Sequence, residues 1–162
     1  MAVPTGQELI WQGRLHLGDE PGVYGDATYT GIGCELPITL RRFNPQAAED
    51  ATLFLRTEHV AVYQGYPGHR VTVTAYEESS TAHHWQERVL VDDIRITDEN
   101  PVAVTLPLSQ QPDRPENVFL SVRIRADTTV APGLYDDFLI VSLSLESGPH
   151  GYYAIFGFDS PS

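Results

Sequence analysis

The sequence predicts an all-β chain: an antiparallel β-sandwich, immunoglobulin-like or jelly-roll, with at most one short helix near residues 45–50. Three observations predict it. Apolar residues recur at period two, the spacing that turns one face of a strand to a core and the other to water. Turn dipeptides separate these runs: Pro21-Gly22, Pro67-Gly68, Pro132-Gly133 and Gly148-Pro149. Only one stretch carries a helical signal. Many short strands at regular spacing with almost no helix fit a sandwich better than a parallel sheet.

Taken in order, Trp11, Leu15 and Leu17, with Gly13 between them, suggest a first strand. Leu36, Ile38 and Leu40 mark a second face. Asn44 fits a helix N-cap with Pro45 at the first helical position, and the helical composition runs out at Asp50, so it predicts only a turn or two. Leu53-Phe54-Leu55 and Val71–Tyr76 follow as strands. Val89-Leu90-Val91 and Ile94-Arg95-Ile96 straddle Asp92-Asp93, as one bulged strand or two short ones. Val102, Val104, Leu106 and Leu108 share a face, in a region punctuated by Pro101, Pro107, Pro112 and Pro115. In Val118–Arg125, Leu120, Val122 and Ile124 form the apolar side. Leu139, Val141, Leu143 and Leu145 are expected to share one buried face of the next run.

The 162 residues suit one sandwich domain over 1–146, with an apolar and aromatic segment over 147–162. The net charge is −12, and the ten basic residues are scattered and all arginine. Binding phosphate backbones or anionic lipid needs clustered positive charge, so nucleic acid and membrane surfaces are not expected partners. No apolar run reaches membrane-spanning length. Cys34 is the single cysteine, so no disulfide closes within the chain. No basic stretch followed by an apolar one opens the sequence, which favours a protein made and used without secretion.

One motif occurs twice. Pro21-Gly22-Val23-Tyr24-Gly25-Asp26 and Pro132-Gly133-Leu134-Tyr135-Asp136-Asp137 both fit Pro-Gly-x-Tyr-x-Asp. Proline presets φ and glycine takes the positive-φ corner, so each copy should turn the chain into a strand. The tyrosine ring can pack while its hydroxyl stays wet or bonds a neighbouring turn. The second copy begins a stretch, residues 131–143, that resembles the final strand of spore coat protein U-like fimbrial subunits. The resemblance implies an immunoglobulin-like sandwich and, as an alternative function, a secreted fimbrial or surface-adhesion subunit. That family usually carries paired cysteines, whereas Cys34 is alone here.

No arrangement of residues points to catalysis, so none is assigned a catalytic role. There is no Gly-x-Ser-x-Gly elbow, and a lone thiol such as Cys34 is usually a buried structural group. His83-His84, with His59, His69, Glu77-Glu78 and Asp92-Asp93 around them, lack the spacing of a metal motif. Neither a metal nor any other cofactor is expected. The adjacent carboxylates Glu77-Glu78, Asp92-Asp93 and Asp136-Asp137 read as solvated faces, not as acids opposed across a cleft. Tyr63, Tyr66, Trp85, Tyr152 and Tyr153 would serve a carbohydrate-binding module as stacking platforms. The C-terminal run is more informative: Tyr152, Tyr153, Ile155, Phe156 and Phe158 form either a last strand of the chain's own sheet or an arm that adds to a neighbour. These features together predict a non-enzymatic structural protein that works by protein–protein assembly, as a homo-oligomer or within a larger structure. A bacteriophage virion component, such as a capsid decoration or tail accessory protein, fits them best.

Overall fold

The computed structural model describes residues 7–42, 50–60, 68–78, 85–96, 100–105, 117–128, 134–146 and 152–157. These form ten strands and no helix: β1 (Gln7–Leu17), β2 (Thr28–Gly31), β3 (Gly33–Arg42), β4 (Asp50–Glu58), β5 (His69–Glu78), β6 (Trp85–Ile96), β7 (Asn100–Thr105), β8 (Asn117–Arg125), β9 (Phe138–Glu146) and β10 (Tyr152–Phe156). The helical turn expected near Asn44–Asp50 falls outside the described residues, except that Asp50 already belongs to β4.

Two five-stranded sheets pack face to face, one with the order β2-β1-β9-β4-β7 and the other β10-β3-β8-β5-β6. The pairings are antiparallel except that of β1 with β2. Without β2 and β10, the remaining eight strands, counted in chain order, run 1-8-3-6 in one sheet and 2-7-4-5 in the other. That is the strand order of an eight-stranded jelly roll, which decides between the two sandwich types the alternation allows. All eight lie before Ser147. The additions β2 and β10 flank β1 and β3 at one rim of the sandwich.

The core lies between the sheets. Leu36, Ile38 and Leu40 of β3, Leu120, Val122 and Ile124 of β8, and Val71, Val73 and Ala75 of β5 line one inner face. Leu17, Leu53, Leu55, Val102, Phe138, Ile140, Leu143 and Leu145 line the other. Full burial of each large aliphatic is worth roughly 1.5–3 kcal/mol, so period-two alternation on long strands is the main source of stability here.

Bulges modify that alternation, among them one in β6 and one in β9. In β6 the register passes from Val71 opposite Ile94 to Val73 opposite Val91, so Asp92-Asp93 face Thr72 alone. Asp93 takes a φ of +47°, in the left-handed region, and its N–H is held by the Thr72 hydroxyl at 3.1 Å. The region is thus one bulged strand. In β9, Arg56 lies opposite Ser142 and the next residue, Thr57, opposite Ile140, so Val141 is the extra residue. The bulge moves Phe138 and Ile140 onto the core face with Leu143 and Leu145. Val141, expected in the core, is only half-buried and lines a shallow surface hollow with Gln12, Gly13, Arg14, Arg56, Glu58 and Ser142. Leu139 is buried, but outside the core cluster.

Candidate functional site

Two places stand out, and the repeated motif leads to the first. The chain leaving β1 passes through Gly18, turns at Pro21-Gly22 and returns as β2. Gly22 has φ +94°, the positive corner expected of the motif. Residues 18–27 lie against the outer side of the first sheet and cover His16, which is 1% exposed. Tyr135 and Asp137 of the second copy arrive at the same place, while its Pro132 and Gly133 lie outside the described residues. His16 Nε2 lies 2.7 Å from Asp137 Oδ1, and since a carboxylate only accepts, the imidazole donates. The Glu20 N–H donates to the same oxygen at 3.2 Å. The Tyr24 hydroxyl donates to the Asp137 carbonyl at 3.3 Å, and the Tyr135 N–H to Asp19 Oδ2 at 3.0 Å.

Aromatic rings close the cluster. Tyr24 meets His16 edge-on with centroids 5.0 Å apart and stacks on His59 at 5.1 Å. The Tyr29 ring also lies 5.0 Å from His16, and its hydroxyl donates to the Gly18 carbonyl at 2.7 Å. Burial, then the carboxylates of Asp136 and Asp137, push the Tyr24 phenol above its ordinary pKa, which keeps it a donor. Gly18 has φ +143°, and a Cβ there would fall 2.1 Å from Asp137 Oδ1. Only glycine lets the loop close this tightly over the carboxylate.

Carboxylate oxygens of Asp19, Glu20 and Asp137 lie within 4.8 Å of one another. Those of Asp19 and Asp137 already accept hydrogen bonds from the protein, so they act as the acceptors of a latch between two turns. His16 and Asp137 have the geometry of a base with its orienting acid, but no described hydroxyl or thiol is bonded to the imidazole as a nucleophile would be. Asp136-Asp137, expected as a solvated pair, is instead built into the fold: Asp136 is 7% exposed and Asp137 holds His16. Sequence reading missed His16. The repeated motif marked the location, because the first copy brings Tyr24 and the second brings Asp137 to this latch.

The second place is β10. It pairs antiparallel with β3, from Tyr152 opposite Arg42 to Phe156 opposite Ile38. The C-terminal run is therefore a strand of its own sheet and forms that sheet's edge. Thr39 Oγ1 donates to the Gly157 carbonyl at 2.6 Å, and the Gly157 N–H donates to the Pro37 carbonyl at 2.8 Å. Pro37 is tolerated inside the sheet because its own backbone faces this last turn of β10, where no donor is required of it. Phe156 stacks on Trp11 of the opposite sheet with centroids 6.0 Å apart, yet stays 40% exposed, and Ile155 is 36% exposed. Tyr152 and Tyr153 are placed here by the backbone register, and Phe158 lies outside the described residues.

The other sequence candidates disperse. His83 and His84 lie outside the described residues, as do Tyr63 and Tyr66. His59 stacks on Tyr24, while His69 stacks on Phe138 in the core. Trp85 begins β6 and Tyr152-Tyr153 begin β10, at opposite edges of one sheet, so about 19 Å of strand spacings separate their backbones. They do not form one sugar platform. Burial pushes the Cys34 thiol up to about 12, which holds it protonated and unreactive at neutral pH. No family model, no curated protein and no solved structure matches the chain.

Proposed function

We propose that this protein is a non-enzymatic structural subunit that works by assembly, best understood as a bacteriophage virion component of the capsid-decoration or tail-accessory kind. The observation that carries the reading is the contrast among the four edge strands. β6 is bulged at Asp92-Asp93 and carries Glu87, Arg88 and Arg95 besides. β7 contains Pro101. β2 is four residues long and its register against β1 is irregular. Charge, proline, bulges and shortness are the usual means by which edges are kept from pairing. β10, Tyr-Tyr-Ala-Ile-Phe, is also short, but it has no charge, proline or bulge and presents Ile155 and Phe156 to solvent.

The jelly-roll order supports the reading without deciding it, since capsid domains and lectins share that order. The net charge of −12 disfavours a nucleic-acid role within a virion and favours a protein contact. The test compares the full chain with one ending at Ser147. All eight jelly-roll strands remain in the shorter chain, so it should keep a cooperative melt while its assembly by light scattering is lost. Detection of the protein in purified virions by mass spectrometry would tie that assembly to the particle. The likeness of residues 131–143 to fimbrial subunits supports a second reading, a secreted surface-adhesion subunit. A leader sequence at the start of the gene would favour it.

A further inference from the structure

We infer that the occupant of the β10 edge is a second copy of this chain, paired antiparallel through β10 itself about a two-fold axis at Ala154. The inference rests on the assembly reading above and specifies its partner. The Gly157 N–H points to β3, where it meets the Pro37 carbonyl. Backbone direction alternates along a strand, so Ile155 and Tyr153 also turn their N–H and C=O to β3. Tyr152, Ala154 and Phe156 turn theirs away, and no described strand pairs on that side.

These three residues are symmetric about Ala154. In an antiparallel pair of two copies, Tyr152 faces Phe156 of the second copy, Ala154 faces Ala154, and every outward donor and acceptor finds a partner. Such an isologous contact closes after two copies and leaves no repeating edge. Charge points to the same occupant. Each chain carries −12, so two copies repel over most of their surface, but β10 has no charged residue and can approach its own copy without placing like charges opposite each other. Partnering an apolar strand with a charged one would instead leave the charge facing Ile155 or Phe156.

The alternation provides a selective test. Ala154→Pro removes an N–H that faces outward and adds a ring there, while the bonds to β3 come from residues 153, 155 and 157. The wild type should sediment at about twice the mass of the variant, and the variant should keep its circular dichroism spectrum. In a Cys34→Ser background, Ala154→Cys should form an intermolecular disulfide, because directly opposed residues of a hydrogen-bonded antiparallel pair lie about 5.5 Å apart at Cα. Cysteine at 153 or 155 should not. If Ala154→Pro fails to fold, the cross-link alone decides. A wild type that stays monomeric at high concentration overturns the inference, as does a folded Ala154→Pro that remains a dimer. In the monomeric case the assembly reading is judged separately, by whether Ala154→Pro loses its place in purified virions.

Discussion

Asp137 and Phe138 are neighbours in sequence, and each holds a histidine, on opposite sides of the first sheet. Asp137 binds His16 beneath the 18–27 loop; Phe138 stacks on His69 in the core with centroids 4.7 Å apart. Both histidines are almost fully hidden, at 1% and 0% exposure. His16 has a carboxylate and two tyrosine rings around it. His69 has no hydrogen-bond partner for either ring nitrogen among the described residues. Equal burial thus leads to different behaviour. One histidine ties two turns together by its polarity, and the other sits in the core as a ring whose polarity is a liability.

The sharpest way to break the latch is Gly18→Val. A Cβ would meet the Asp137 carboxylate and its backbone, at a φ that other residues rarely adopt. The expected cost is about 3–4 kcal/mol in urea unfolding, as for a strained backbone combined with overpacking. A loss below about 1 kcal/mol would mean that the loop can lift from the sheet without consequence.

His69 should give the protein an acid-sensitive stability. Burial lowers its pKa from 6.5 to about 4. As pH falls below 6.5 the unfolded chain takes up a proton that the folded chain refuses until about 4. Stability is therefore fully present above 6.5, falls through this window by about 3 kcal/mol, and levels off below it. His69→Leu should remove that part of the slope. An unchanged slope in the variant would place the titration elsewhere.

His16→Leu should behave differently. It fills the space but deprives Asp137 of its imidazole donor, so it should cost about 2 kcal/mol at neutral pH, where His69→Leu costs little. A double-mutant cycle with Asp137→Leu checks this, because the coupling disappears if the pair is only incidental. The smallest effect is expected for Tyr24→Phe. It removes one long hydrogen bond, 3.3 Å, at a partly exposed site and should lower stability by about 0.5–1 kcal/mol in thermal melts.

Much of the fold was legible because strand faces are a local property. Leu36, Ile38 and Leu40, or Leu120, Val122 and Ile124, declare a buried side by spacing alone, and all six are buried. Val141 was misplaced because a bulge depends on registers imposed from outside its own strand; β4 leaves it without an opposite number, while β1 on the other side sets two residues, Gly13 and Arg14, against it. The latch was half legible. The Pro-Gly-x-Tyr-x-Asp repeat was visible in the sequence, but the contact between its copies joins residues 113 positions apart and has no local sign.

The sequence by itself determined an all-β chain, the turn at Pro21-Gly22, the period-two faces of its strands and an uncharged aromatic run over 151–158. Each of these follows from residues within one or two turns of one another, where backbone sterics and side-chain alternation act directly. Tertiary structure alone decided the jelly-roll order, the His16–Asp137 latch, the isolation of His69 and the position of β10 at an edge. These depend on which distant strands become neighbours when both sheets close on a shared core, and that choice is made by the burial of all the inner faces together.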